Sequence, residues 1–152
     1  MKTIIIFSIF IFLFGCTGAG NHEGHDNMSN VPKSKSDSLY KEVMNGHNEA
    51  MAKFGELERY QTLLKKQKDS VSAIKNKSAV NSSIQNTLDS ALLELQNAES
   101  AMNAWMDGFD PDKAGKTEEE KINYYNNEKE KVSKVQGQIN QSLAKAKELS
   151  RK

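Results

Sequence analysis

Thioether sulfur and imidazole nitrogen are soft donors, and this chain sets several of them at spacings that one helix face would collect. Met44, His47 and Met51 lie three and four residues apart, and Met102 and Met106 lie four apart. Positions three and four apart are neighbours on a helix surface. Upstream, His22, His25 and Met28 recur every third residue in a stretch without an apolar pattern. Donors of this kind suit Cu(I). Together they outline a candidate soft-metal site, a His/Met tail over a Met-rich helical end, with copper as its metal. The same residues have a commoner use. Methionine fills irregular gaps in cores, a histidine on an apolar stripe is usually held by a hydrogen-bond partner, and histidines are ordinary in polar linkers. On that reading the chain carries no cofactor.

Other chemistry has little support, and no enzyme is expected. There is no Gly-x-Ser-x-Gly, no P-loop and no His-Glu-x-x-His. Cys16 is the only cysteine, so no internal disulfide can form. Residues 110–115, Asp-Pro-Asp-Lys-Ala-Gly, begin like a calcium loop. Ala114 then replaces a ligand, and Lys121 stands where the bidentate glutamate belongs, so the segment reads as a solvated turn. The chain of 152 residues has 21 basic and 20 acidic side chains. Such a balance argues against nucleic acid, whose phosphates call for a positive excess on one face.

Cys16 carries the clearest signal. It follows Lys2, an apolar run from Ile4 to Phe14 broken only by Ser8, and then Leu13-Phe14-Gly15-Cys16. The run falls well short of the ~20 residues a membrane-spanning helix needs. It resembles the signal peptide of a bacterial lipoprotein. Residues 1–15 are then removed, and Cys16 becomes the first residue of the mature chain, carrying lipid such as palmitate. The expected location is the cell envelope, on a membrane that is inner or outer, with the periplasmic face favoured. Residues 16–36 hold Gly18, Gly20, Gly24 and Pro32 without apolar periodicity, and read as a lipidated flexible tether.

The soft donors need helices to position them, and the rest of the chain supplies the pattern. Tyr40, Val43, His47, Ala50, Phe54, Leu57, Gln61, Leu64 and Val71 alternate at threes and fours, apart from one skipped position at Lys68. A helix over about 37–75 is expected. A break near Lys68-Asp69-Ser70 is the alternative, and Gly46 and Gly55 either admit a close neighbour or soften the first half. Ile84, Leu88, Ala91, Leu95, Ala98, Met102, Trp105 and Phe109 mark a second helix over about 82–107. Ser82 with Gln85 is its expected capping box, and Gly108 its expected left-handed end. Thr117 with Glu120 opens a third helix, about 117–150, on Ile122, Tyr125, Val132, Ile139, Leu143 and Ala146, with Lys129 and Gln136 as interruptions. Short connections make successive helices antiparallel. The fold class is all-α: an elongated, coiled-coil-like, up-down-up three-helix bundle over 37–152.

Folding about residues 79 and 112 sets Met51 opposite about Met106, and Phe54 opposite Met102–Ala104. It also sets Met102 and Trp105 beside Ile122 and Glu119. One end then gathers Tyr40, Met44, His47, Met51, Phe54, Met102, Trp105, Met106, Phe109, Tyr124 and Tyr125, while the other is mostly aliphatic. The leading functional expectation is a non-enzymatic scaffold or interaction role, with an envelope protein as partner. Soft-metal binding stands second, and self-association through a leftover apolar stripe third.

The motif at Cys16, Met44-Asn-Gly-His47-Asn-Glu-Ala-Met51 and Ala101-Met102-Asn-Ala-Trp105-Met106-Asp-Gly-Phe109 together resemble a family of small lipoproteins from Bacteroidota, often labelled "viral A-type inclusion protein". The resemblance covers nearly all of the chain after Cys16. It implies envelope location and a helical build, and no particular chemistry.

Overall fold

A computed structural model describes residues 32–74 and 78–151. The segment read as signal peptide, and the tether up to residue 31, lie outside the described residues. The described part is an all-helical bundle: α1 Lys35–Met51, α2 Phe54–Ser72, α3 Ala79–Gly108, a 3-10 turn Pro111–Ala114, and α4 Glu118–Leu149. No strand occurs among the described residues.

Local chemistry explains most boundaries. Ser34 caps α1 by accepting from the Asp37 amide at 3.1 Å. The helix therefore opens slightly earlier than the sequence pattern suggests. Ser78, not Ser82, caps α3, accepting from the Asn81 amide at 3.2 Å. Ser82 instead lies inside the first turn, where its side chain bonds back to the Ser78 carbonyl. At Thr117 the expected capping box is present. Thr117 Oγ1 accepts from the Glu120 amide, and Glu120 Oε2 accepts from the Thr117 amide.

The end of α3 departs from expectation. Gly108 remains helical, and the helix stops because Phe109 turns to extended backbone (φ −77°, ψ 116°). Asp110, next in line, precedes Pro111, and a residue before proline is driven out of the helical region. It is extended as well (φ −138°, ψ 100°). The left-handed φ falls on Gly115 (φ 90°), where an added Cβ would lie 2.6 Å from Glu120 Cβ. Glycine lets the loop fold tightly onto the first turn of α4.

The first predicted helix is broken, though not at 68–70. Two residues, Ala52 and Lys53, separate α1 from α2 with ψ values of −17° and −4°. The Lys53 and Glu56 amides bond three residues back, to the Ala50 and Lys53 carbonyls. The chain is thus tightened into a 3-10-like turn. The apolar stripe keeps its spacing across it, from Ala50 to Leu57. The partner changes: α1 packs chiefly on α4, and α2 chiefly on α3. At Gly46 the approach to α4 is close, since a Cβ there would lie 3.2 Å from Val132 Cγ1.

Side-chain pairs fix the directions. Glu42 with Lys129, Glu49 with Gln136 and Lys53 with Asn140 run in step, so α1 and α4 are parallel. Lys68 with Asp89 and Ser72 with Gln85 make α2 and α3 antiparallel. Lys145 with Glu94 and Trp105 with Glu128 do the same for α3 and α4. Lys129 and Gln136, read from sequence as interruptions, therefore tie α4 to α1 from its flank. The stripe of α4 holds the expected Tyr125, Val132, Ile139, Leu143 and Ala146 and adds Glu128, Val135 and Ser142. The core holds Leu57, Leu64, Leu95, Met102, Ile139, Val43 and Val132 almost wholly out of water. Each such side chain contributes roughly 1.5–3 kcal/mol by burial.

Candidate functional site

The beginnings of α1 and α4 and the end of α3 meet at one end of the bundle, which is aromatic. Trp105 stacks on Phe109 with ring centroids 4.9 Å apart, and Phe109 stacks more distantly on Tyr40 and Tyr124. Tyr125 meets Tyr40 and Tyr124 edge-on at 5.5 and 5.3 Å. Edge-on and offset contacts at these distances stabilise beyond the area they bury. The Tyr124 hydroxyl donates to the Asp110 carbonyl at 2.8 Å and accepts from the Asp110 amide at 3.0 Å. It holds the loop after α3 in place. Burial and the neighbouring Tyr40 and Tyr124 push the Tyr125 phenol above its ordinary pKa.

Two carboxylates organise this end, and sequence reading gave neither its role. Glu128 is buried, 4% exposed. Its Oε2 accepts from the Trp105 indole Nε1–H at 3.0 Å, and its Oε1 pairs with Lys131 at 2.7 Å. That pairing raises the Lys131 pKa. The signal was present in the three-four spacing from Tyr125 through Glu128 to Val132, but a charged residue on a stripe reads as a break. Glu118 reaches across to α1. It accepts from the Ser36 amide at 2.9 Å and from the Ser36 hydroxyl at 2.8 Å. These bonds hold the Glu118 carboxyl below the usual glutamate pKa. Glu118 thereby satisfies an otherwise orphan amide at the start of another helix.

The predicted soft donors fare unequally. His22, His25 and Met28 lie outside the described residues, as does Cys16. Met102 is fully buried core. Met44 is half-buried, and Met51 is half-buried against the core. His47 and Met106 come together: Nε2 lies 3.2 Å from Sδ. The His47 ring also faces Trp105, centroids 5.6 Å apart, and its Nδ1 lies 3.1 Å from Asn48 Oδ1. Met106 thus meets His47 rather than Met51, one helical turn from the expected register. The fold point near 79 holds for α2 against α3, and the turn at 52–53 shifts α1 relative to it. Trp105 likewise sits beside Glu128 rather than Glu119. The described residues show no cluster of three or more His, Cys, Asp or Glu side chains able to hold a metal.

The opposite end differs in kind. A groove of about 570 Å³ between α2, α3 and the end of α4 is lined by Val71, Ile84, Leu88 and Leu149, with Gln67 at its edge. Gln67 Oε1 is buried there without a hydrogen-bond partner.

No family model, curated protein or solved structure matches this chain.

Proposed function

We propose that the chain is a lipoprotein of the cell envelope, anchored through lipid on Cys16, whose helical bundle serves as a non-enzymatic scaffold or interaction module. The observation that carries this reading is Leu13-Phe14-Gly15-Cys16 at the end of the apolar run from Ile4, preceded by Lys2. The resemblance to the small Bacteroidota lipoproteins points the same way. The bundle is compatible with such a role. No described helix is long and apolar enough to cross a membrane. The exposed faces carry inter-helix pairs such as Glu42 with Lys129 and Lys68 with Asp89. Solvated pairs of this sort add little stability each, about 0–1 kcal/mol, and leave charged surface available to a protein partner.

The test is metabolic labelling with an alkyne palmitate analogue, followed by membrane fractionation, on the full chain and on Cys16→Ser. The expected result is a labelled, membrane-associated protein whose label and association both vanish in the variant. An unlabelled wild-type chain, or membrane association indifferent to the substitution, refutes the anchor.

A further inference from the structure

We propose that His47 Nε2, Met106 Sδ and Met51 Sδ form a Cu(I) site at the aromatic end of the bundle, with Trp105 closing one side. The inference stands on side-chain geometry and is independent of how the chain is anchored. His47 and Met106 come from different helices, yet Nε2 and Sδ lie 3.2 Å apart. With metal–nitrogen and metal–sulfur bonds of roughly 2.0 and 2.3 Å, two donors on one tetrahedral metal stand roughly 3.5 Å apart. The pair therefore needs to open by only a few tenths of an ångström. Both side chains are half-buried rather than sealed, so a metal has access.

The histidine is arranged as a ligand. A neutral imidazole has one N–H and one lone pair. With the proton on Nδ1, donated to Asn48 Oδ1 at 3.1 Å, the Nε2 lone pair faces the sulfur. A ligating histidine characteristically gives its other N–H to an oxygen acceptor in this way. A thioether beside an imidazole lone pair selects a soft cation.

The third donor follows from the helix directions. α1 runs antiparallel to α3, so the next turn beyond His47 on α1 faces the turn before Met106 on α3. Those turns carry Met51 and Met102. Met102 is fully buried, whereas Met51 is half-buried at the edge of the core. Trp105 stands 5.6 Å from the His47 ring and is itself fixed by Glu128 and Phe109. An indole face within about 6 Å of a cation attracts it.

The experiment uses the full chain in detergent with Cys16→Ser, which removes the only thiol. Cu(I) is titrated against a chromophoric chelator while Trp105, the only tryptophan, reports by fluorescence. Met106→Leu and Met51→Leu nearly conserve volume, His47→Asn keeps a polar group, and circular dichroism melting confirms that each variant folds. A tail variant changes His22, His25 and Met28 to Ala. The expected result is one Cu(I) per chain with quenched Trp105 emission. Affinity should fall at least tenfold in Met106→Leu and in His47→Asn, and several-fold in Met51→Leu, with quenching retained in the tail variant. Unchanged affinity in folded Met106→Leu overturns the site. So does binding that disappears with the tail variant alone, or binding that leaves Trp105 emission untouched.

Discussion

Glu128→Ala tests the idea that a buried carboxylate organises the aromatic end. In the folded chain Glu128 Oε2 accepts from the Trp105 indole N–H at 3.0 Å, and Oε1 meets Lys131 at 2.7 Å. The Glu128 side chain is 6% exposed and that of Lys131 is 63% exposed. The two contacts therefore differ in worth. Truncation to Ala leaves the indole N–H buried without an acceptor, at about 1–3 kcal/mol. It also removes one buried methylene group, at about 0.8 kcal/mol. The Lys131 pair is largely in water and contributes at most about 1 kcal/mol. Removing a buried charge returns part of its desolvation cost. The expected net loss is roughly 2–4 kcal/mol, which for a bundle of this size lowers Tm by on the order of 10 °C. Glu128→Gln keeps an oxygen for the indole and loses only the ionic contact, so it should cost about 1 kcal/mol or less. Lys131→Ala should cost less than about 1 kcal/mol. Urea and thermal unfolding, followed by far-UV circular dichroism and Trp105 emission, measure all three. If Glu128→Ala lies within about 0.5 kcal/mol of the parent, or Glu128→Gln is as damaging as Glu128→Ala, the indole–carboxylate bond is not what holds this end.

Two further outcomes follow from the loop and the helix starts. Gly115→Ala combines a φ of 90° with a Cβ placed 2.6 Å from Glu120 Cβ, so it should destabilise by about 1–3 kcal/mol, read from the urea midpoint. Glu118 and Glu120 both have pKa values lowered by backbone and hydroxyl donors, from Ser36 and from Thr117 with Lys116 respectively. A depressed carboxyl contributes stability above its unfolded value of about 4.3 and loses it as pH falls through the folded value. Tm should therefore drop as pH is lowered through and below about 4. The Glu118→Gln, Glu120→Gln double variant should show a shallower drop over that window, and an identical acid limb in both proteins would contradict the assignment.

The helical character, the three apolar stripes and the Thr117–Glu120 box were legible in the residues because each depends on neighbours within about one turn. The end of α3 was legible in place but not in form: Gly108 was expected left-handed, yet it stays helical, and Phe109 and Asp110 leave the helix ahead of Pro111. The break at Ala52–Lys53 was not, since neither residue disfavours helix and the stripe passes through unchanged. Glu128 was not legible for a related reason: its charge hides a place in the three-four repeat that only the indole partner on α3 makes favourable.

The candidate site divides the same way. That Met44, His47 and Met51 share one side of a helix, and Met102 and Met106 one side of another, follows from spacing. Which of them meet does not. Sliding one helix along another by a turn, about 5.4 Å, preserves every stripe and exchanges every partner. The sequence by itself determined the faces, the Cys16 motif and the Thr117–Glu120 cap, because sterics and hydrogen bonding within a turn decide them. Only the tertiary structure decided that His47 lies against Met106, that Glu118 closes the start of α1 and that Glu128 sits under Trp105, because the turn at residues 52–53 and the packing of α1 on α4 set the offset between helices.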